Sequence, residues 1–197
     1  MSMRNNIRPG RQSRRCGFTL VELVVTVAIT AILLAMAVPQ MREHLARKRV
    51  SGAATELVAD IRYVRAQVLE QNQAIWISFG STADFSCYVI YTDGGKNGYC
   101  NCARSAGPVC EDVPDPPVEL KSVYLKTNTG ITLTSTRPSL FFQKVVGAPR
   151  ISRSAYDTAE ATVQSSLGGT VKVGLDGPIR ATICSVSGHT GEFVACP

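Results

Sequence analysis

The sequence predicts an α+β protein in which a long N-terminal α-helix packs on an antiparallel β-sheet domain. Three observations support this. Residues 18–38 form an apolar run of membrane-spanning length, residues 39–72 continue it as an amphipathic helix, and residues 73–197 contain short runs with a period of two. With 197 residues, 45% of them hydrophobic, the chain has room for one domain with a core and an appendage.

The first 17 residues are basic. They hold five arginines and no acidic residue, whereas the whole chain has a formal net charge of +6. The remaining residues keep 16 basic side chains against 15 acidic ones. The excess charge therefore belongs mainly to this leader and does not indicate a nucleic-acid-binding domain.

The apolar run from Phe18 to Val38 carries a single charge, Glu22. About 20 helical residues span the hydrocarbon layer of a bilayer, so the run can cross a membrane. The basic leader favours a cytoplasmic N-terminus. Four basic residues on the far side leave the orientation open on charge alone: Arg42, Arg47, Lys48 and Arg49.

Three interpretations compete for residues 1–40. A secretory signal peptide would cleave near the small residues Ala35 to Ala37, but such peptides have apolar cores of about 7 to 15 residues. A simple membrane anchor fits the length and leaves Glu22 unexplained. A carboxylate in a membrane helix costs about 2.5 kcal/mol or more, so it normally has a partner and a function.

The third interpretation follows from the stretch "RRCGFTLVEL", which resembles the leader and processing site of type IV prepilins and pseudopilins. The resemblance implies that a prepilin peptidase cleaves between Gly17 and Phe18 and methylates the new N-terminus at Phe18. It also implies that Glu22 acts in assembly by pairing with such an ammonium group on a neighbouring subunit. Pro39 matches the proline associated with a kink in this helix.

After Pro39 the apolar residues recur at steps of three or four and predict one stripe that packs on the domain. The stripe consists of Val50, Ala54, Leu57, Ile61, Val64 and Val68. The charged residues Arg49, Glu56, Asp60, Arg62 and Arg65 are expected on other faces. The helix is predicted to end at about Asn72.

Seven short runs rich in β-branched and aromatic residues predict antiparallel strands. They are "AIWISF", "CYVIYT", "VYLKT", "GITLT", "SLFFQKV", "TVKVGL" and "IRATIC". A Cys- and Pro-rich insert at about residues 93–118 interrupts them.

Six cysteines remain if cleavage removes Cys16, and an even number suits three disulfides in an oxidising compartment. They are Cys87, Cys100, Cys102, Cys110, Cys184 and Cys196. Six cysteines allow 15 pairings, of which only Cys184 with Cys196, closing a short C-terminal loop, is favoured. A metal site at Cys100, Cys102 and Cys110 is disfavoured because paired C-x2-C spacing is missing. We expect no metal or cofactor, and a hairpin turn rather than a calcium loop at Asp93 and Asn97.

The stretches "ELVADIRYVRAQVLEQNQ", "YVIYTDGGKNG" and "VKVGLDGPIR" resemble the GspH/FimT family of minor pilins and pseudopilins. This implies a less abundant subunit at or near a filament tip that supports filament initiation. Its partners would be other pilin or pseudopilin subunits, the prepilin peptidase and the inner membrane, which it crosses once with a periplasmic C-terminal domain. The resemblance leaves open whether the filament is a type IV pilus or the pseudopilus of type II secretion.

No motif places either histidine, His44 or His189, beside a nucleophile. We therefore expect that the protein is not an enzyme. The alternative function is DNA binding for uptake in natural transformation. Some relatives bind DNA through a Gly-Arg-x-Arg motif, of which Gly177 and Arg180 match here. Arg150 and Arg153 are further candidate contacts, although six basic against four acidic residues from Thr127 onward are a small footprint.

Overall fold

One long helix and two antiparallel sheets form the fold of the computed structural model. It describes residues 17–92, 99–104, 107–111, 113–145, 148–150, 159–176, 180–186 and 193–196. The helix is α1 (Leu20–Gln71), and a short 3-10 turn covers Thr127–Thr129. The strands are β1 (Ile75–Ser81), β2 (Phe85–Thr92), β3 (Glu119–Lys126), β4 (Ile131–Ser135), β5 (Ser139–Val145), β6 (Ala148–Arg150), β7 (Ala159–Ser165), β8 (Thr170–Asp176) and β9 (Arg180–Ser185).

Local signals fix both ends of α1. The hydroxyl of Thr19 accepts a hydrogen bond from the backbone N–H of Glu22 at 3.2 Å, as an N-cap residue does. Asn72, with φ of 55°, takes the left-handed conformation that ends many helices. Pro39 lies inside the helix, where it cannot donate to the carbonyl of Ala35.

The chain divides into two compact units, Met1–Gln40 and Met41–Pro197. In the second unit, five strands form a sheet in the order β3-β2-β1-β5-β6, and four strands form a sheet in the order β4-β7-β8-β9. Every pairing between neighbouring strands is antiparallel. The long helix and the antiparallel β-sheet domain confirm the predicted α+β fold class.

One hydrophobic core joins the second part of α1 to both sheets. The predicted stripe faces this core and is buried along its whole length. The two sheets contribute Ile75, Ile77, Tyr88, Ile90, Ile131, Leu133, Leu140, Phe142, Ala159, Ala161, Val163, Val171 and Val173. Helix and sheets therefore share one core, so the second part of α1 is a structural element of the domain.

Described residues of the Cys-rich insert pack on the opposite face of β1 and β2 in the five-stranded sheet. Cys87, Val89 and Tyr91 of β2 are buried there with Cys100 and Cys102. A Cβ atom on Gly80 of β1 would lie 2.8 Å from the Cβ atom of Ala103. This close approach requires a glycine in the strand.

Two strands lie outside the predicted runs. β7 is an interior strand of the four-stranded sheet, and its core-facing residues are Ala159, Ala161 and Val163. Alanine is a weak strand former, so the period of two in this segment gives little signal. β6 has only three residues.

Candidate functional site

The N-terminal apolar segment, residues 18–38, is exposed throughout. Its large aliphatic side chains are 42% to 79% exposed, and α1 is long and apolar enough to cross a membrane. An unpaired apolar surface of this length needs lipid or other helices around it.

Glu22 is the one charged side chain in this segment. Three threonine hydroxyls share the segment, and each makes a hydrogen bond within the helix: Thr19 as described, Thr26 with the carbonyl of Leu23 at 2.9 Å, and Thr30 with the carbonyl of Thr26 at 2.7 Å. The carboxylate of Glu22 makes no ion pair with any residue that the structure describes. Its place in the first turn is favourable, because the N-terminal end of the helix dipole is positive. The dipole carries only a partial charge and does not replace an ion-pair partner.

Gly17 and Phe18 precede the helix and are exposed, Phe18 by 80%. A Cβ atom on Gly17 would meet nothing within 4 Å. The bond between these two residues is therefore accessible in the chain. Residues 1–16, including Cys16 and the leader arginines, lie outside the described residues.

A second carboxylate on the same helix is fully partnered. Asp60 accepts a hydrogen bond from the Tyr88 hydroxyl at 2.6 Å, and its two oxygens lie 2.8 and 2.7 Å from Nζ of Lys121. Nζ of Lys121 also lies 3.0 Å from Oε1 of Glu56. These contacts join α1 to β2 and β3.

The Asp60 cluster changes the titration of two of its members. Burial, followed by the hydrogen bond and charge of Asp60, raises the pKa of Tyr88 above its usual range. Burial alone would lower the pKa of Lys121, but its hydrogen bonds to Asp60 and Glu56 outweigh this effect and raise it. The cluster therefore holds a neutral tyrosine and a charged lysine around the carboxylate.

The prediction that Asp60 lies off the packed face of the helix is wrong. Asp60 is buried. Burial of this carboxylate is tolerated because Tyr88 and Lys121 replace the hydrogen bonds that it would make with water. Its spacing from Leu57 and Val64, three and four residues, was a signal that it shares their face.

The structure pairs the six candidate cysteines in three disulfides. These are Cys87–Cys102, Cys100–Cys110 and Cys184–Cys196, the last being the pair that the sequence favoured. The first two fasten the insert internally and to β2. The three cysteines of the alternative metal site are thus each bonded to another cysteine.

Most of the remaining candidates, or their side chains, lie outside the described residues. The backbone places Arg150 on β6 of the five-stranded sheet and Arg180 on β9 of the four-stranded sheet, and their side chains lie outside the description. The described residues also leave out Asp93, Asn97, Arg153, Gly177 and His189. His44 is exposed on α1. Within the described ranges, no group of three His, Cys, Asp or Glu residues is placed to hold a metal ion.

Comparisons with known proteins point to the N-terminal segment. Residues 12–38 match the prokaryotic N-terminal methylation motif. The segment is type IV pilin-like. This pilin-like segment contains Gly17, Phe18 and Glu22, with Pro39 directly after it.

Curated relatives support the same assignment over a limited length. A fimbrial protein of Pseudomonas aeruginosa is 39% identical over 59 residues, which are 30% of this chain and 38% of the relative. A type IV major fimbrial protein FimA of Dichelobacter nodosus is 47% identical over 45 residues, 23% of this chain and 29% of the relative. The chain thus spans well under half the length of these relatives, and no solved structure matches it.

Proposed function

We propose that the chain is a non-enzymatic minor pilin or pseudopilin subunit that assembles into a filament through its N-terminal helix. The observation that carries this proposal is the exposed apolar segment of membrane-spanning length, residues 18–38, which lies within the matched motif. The one charge of this segment, Glu22, has no ion-pair partner among the described residues. The resemblance to GspH/FimT proteins supports a place at or near the filament tip. The filament is a type IV pilus or a type II secretion pseudopilus.

The assembly step follows from charge. Cleavage between Gly17 and Phe18 creates an ammonium group at Phe18, and methylation keeps it positive. A lone carboxylate in lipid is costly, whereas a carboxylate beside an ammonium group is tolerated. Glu22 of an incoming subunit therefore pairs with the Phe18 terminus of a neighbour, and the apolar surfaces of the two helices pack together.

Mass spectrometry of the mature protein tests this proposal. The expected product begins at N-methyl-Phe18. A Gly17→Val variant serves as the matched control and should retain the complete leader. A mature N-terminus at Val38 would instead identify a secretory signal peptide and contradict the proposal.

The alternative, a minor pilin that captures DNA for uptake, has the partial match at Gly177 and Arg180 in its favour. It predicts a gel shift with duplex DNA that weakens as salt is raised. Arg180→Ala should reduce the measured affinity, with Arg62→Ala on the helix as the control. Equal affinity of the Arg180→Ala and unmodified chains would remove Arg180 as a contact.

A further inference from the structure

A basic stretch of α1 follows the apolar segment directly. This basic segment, residues 41–49, holds four basic side chains, Arg42, Arg47, Lys48 and Arg49, against one acid, Glu43, and all five are exposed. Glu43 lies 3.4 Å from Arg47. The other three cations make no ion pair with the residues that the structure describes.

The basic segment lies within reach of a membrane surface. At about 1.5 Å of rise per residue, Arg42 follows the end of the apolar segment by about 6 Å and Arg49 by about 16 Å. The headgroup layer extends roughly 5 to 8 Å beyond the hydrocarbon. Side chains on a helix lean toward its N-terminus, which here is the membrane side, and long cationic side chains extend further in that direction. With the apolar segment spanning the bilayer as proposed, their charges would lie in or close to the headgroup layer.

Two aliphatic side chains accompany the cations. Met41 and Leu45 are exposed, four residues apart, and share a helix face with Lys48, whereas Ala46 and Val50 are buried in the core. A helix surface that mixes exposed aliphatic and cationic side chains fits the boundary between acyl chains and headgroups. A polyanion free in water would leave Met41 and Leu45 without a role.

We propose that the basic segment binds the headgroups of anionic phospholipids on the side of the membrane that faces the β-sheet domain. Binding fixes the depth of the helix in the bilayer before assembly. Basic residues are normally more frequent on the cytoplasmic side of a membrane helix. Lipid binding would explain why four basic residues follow the apolar segment on the other side. The proposal rests on the membrane anchoring that is part of the proposed function.

Native mass spectrometry of the complete chain, purified in a mild detergent, tests the proposal. The protein is mixed with equal amounts of dioleoylphosphatidylglycerol and dioleoylphosphatidylcholine, and the ratio of the two lipids retained is measured. Cationic side chains attract anionic lipid in general, so all compared variants keep the five leader arginines unchanged. Each cation near an anionic surface contributes roughly a five-fold preference in an intact membrane. We expect the Arg42→Gln/Lys48→Gln/Arg49→Gln variant to lower the retained ratio of anionic to zwitterionic lipid by at least about five-fold.

Arg62→Gln/Arg65→Gln is the matched control, because both residues are exposed on α1 and follow the end of the apolar segment by about 36 to 40 Å of helix. It should retain the original lipid ratio. An unchanged ratio in the triple variant, or an equal fall in the control, would overturn the proposal. Failure of membrane anchoring has a separate readout. Without anchoring, the chain would appear in the soluble fraction of a cell lysate that is prepared without detergent.

Discussion

The two parts of α1 differ in where they find partners. Between Leu20 and Gln40 every side chain is exposed, whereas between Met41 and Gln71 nine residues are buried against the sheets. The same contrast separates the two carboxylates. Asp60 has a tyrosine and a lysine, and Glu22 has no ion-pair partner among the described residues. The second part of α1 is therefore packed within its own chain, whereas the first part has the exposed apolar surface on which the proposed contact with lipid or another subunit rests.

The largest difference is expected between two leucines. Leu57 is 1% exposed and Leu33 is 61% exposed. Leu57→Ala should lower the free energy of unfolding by about 2 to 5 kcal/mol, because it removes buried methyl groups and leaves a cavity. Leu33→Ala should change it by less than about 0.5 kcal/mol. Urea denaturation of the complete chain in detergent, followed by circular dichroism, measures both, and equal losses would contradict the division of the helix.

A smaller loss is expected at Asp60. Asp60→Ala leaves the buried Tyr88 hydroxyl and the Lys121 ammonium without their shared acceptor, which should cost about 2 to 3 kcal/mol. Glu56→Ala is the control, since its contact with Lys121 is exposed and contributes about 0 to 1 kcal/mol. The two variants are compared by thermal unfolding. Equal shifts would show that Asp60 is no more important than a surface acid.

The Asp60 cluster also predicts a loss of stability at alkaline pH. The pKa of Tyr88 is raised in the folded chain, so above about pH 10 the unfolded chain releases this proton while the folded chain keeps it. The contribution of this group to the free energy of unfolding is fully present below that pH. Above it, the free energy of unfolding falls by about 1.4 kcal/mol per pH unit for one such group. Lys121, whose pKa is also raised, acts in the same direction.

Unfolding midpoints between pH 9 and pH 11 measure this slope. Tyr88→Phe should reduce it, whereas Tyr63→Phe, at an exposed tyrosine of α1, should leave it unchanged. A slope that is identical in the Tyr88→Phe and unmodified chains would exclude Tyr88 as its source.

The smallest expected effect lies on the outward face of the packed part of α1. Gly52 is exposed, and a Cβ atom there meets nothing within 4 Å, so Gly52→Ala should stabilise the chain by about 0.5 to 1 kcal/mol through the higher helix propensity of alanine. Gly80→Ala, where the new Cβ meets Ala103, should destabilise it. Differential scanning calorimetry distinguishes the two signs. A lower unfolding temperature for Gly52→Ala would show that this helix face is not free.

The sequence predicted those features whose signal is local. The helix was expected to end at about Asn72 and ends at Gln71, because its apolar stripe and its terminating asparagine are adjacent in sequence. The division of the strands into two sheets was not predicted, since strand order depends on contacts between distant residues. The Asp60 cluster was missed for the same reason, because Lys121 is 61 residues away in sequence.

The residues of the candidate site also differ in whether their sequence signal is local or depends on distant contacts. The pattern around Gly17, Phe18 and Glu22 is contiguous and lies within the matched methylation motif, while the roles of these residues stay a prediction. The disulfide between Cys184 and Cys196 spans only 12 residues. The pairings Cys87–Cys102 and Cys100–Cys110 cross each other in sequence. They depend on how the insert folds back over the sheet, so the number of cysteines could not determine them.

The central claim is that the partner of Glu22 lies on a neighbouring subunit, and filament incorporation tests it most directly. Glu22→Gln and the control Glu43→Gln are each produced in place of the unmodified chain, and mass spectrometry first verifies N-methyl-Phe18 in both. The amount of each chain in the sheared filament fraction is then measured against the amount in the membrane. We expect Glu22→Gln to fall by at least about ten-fold and Glu43→Gln to match the unmodified chain. Incorporation of Glu22→Gln at the unmodified level would contradict the claim.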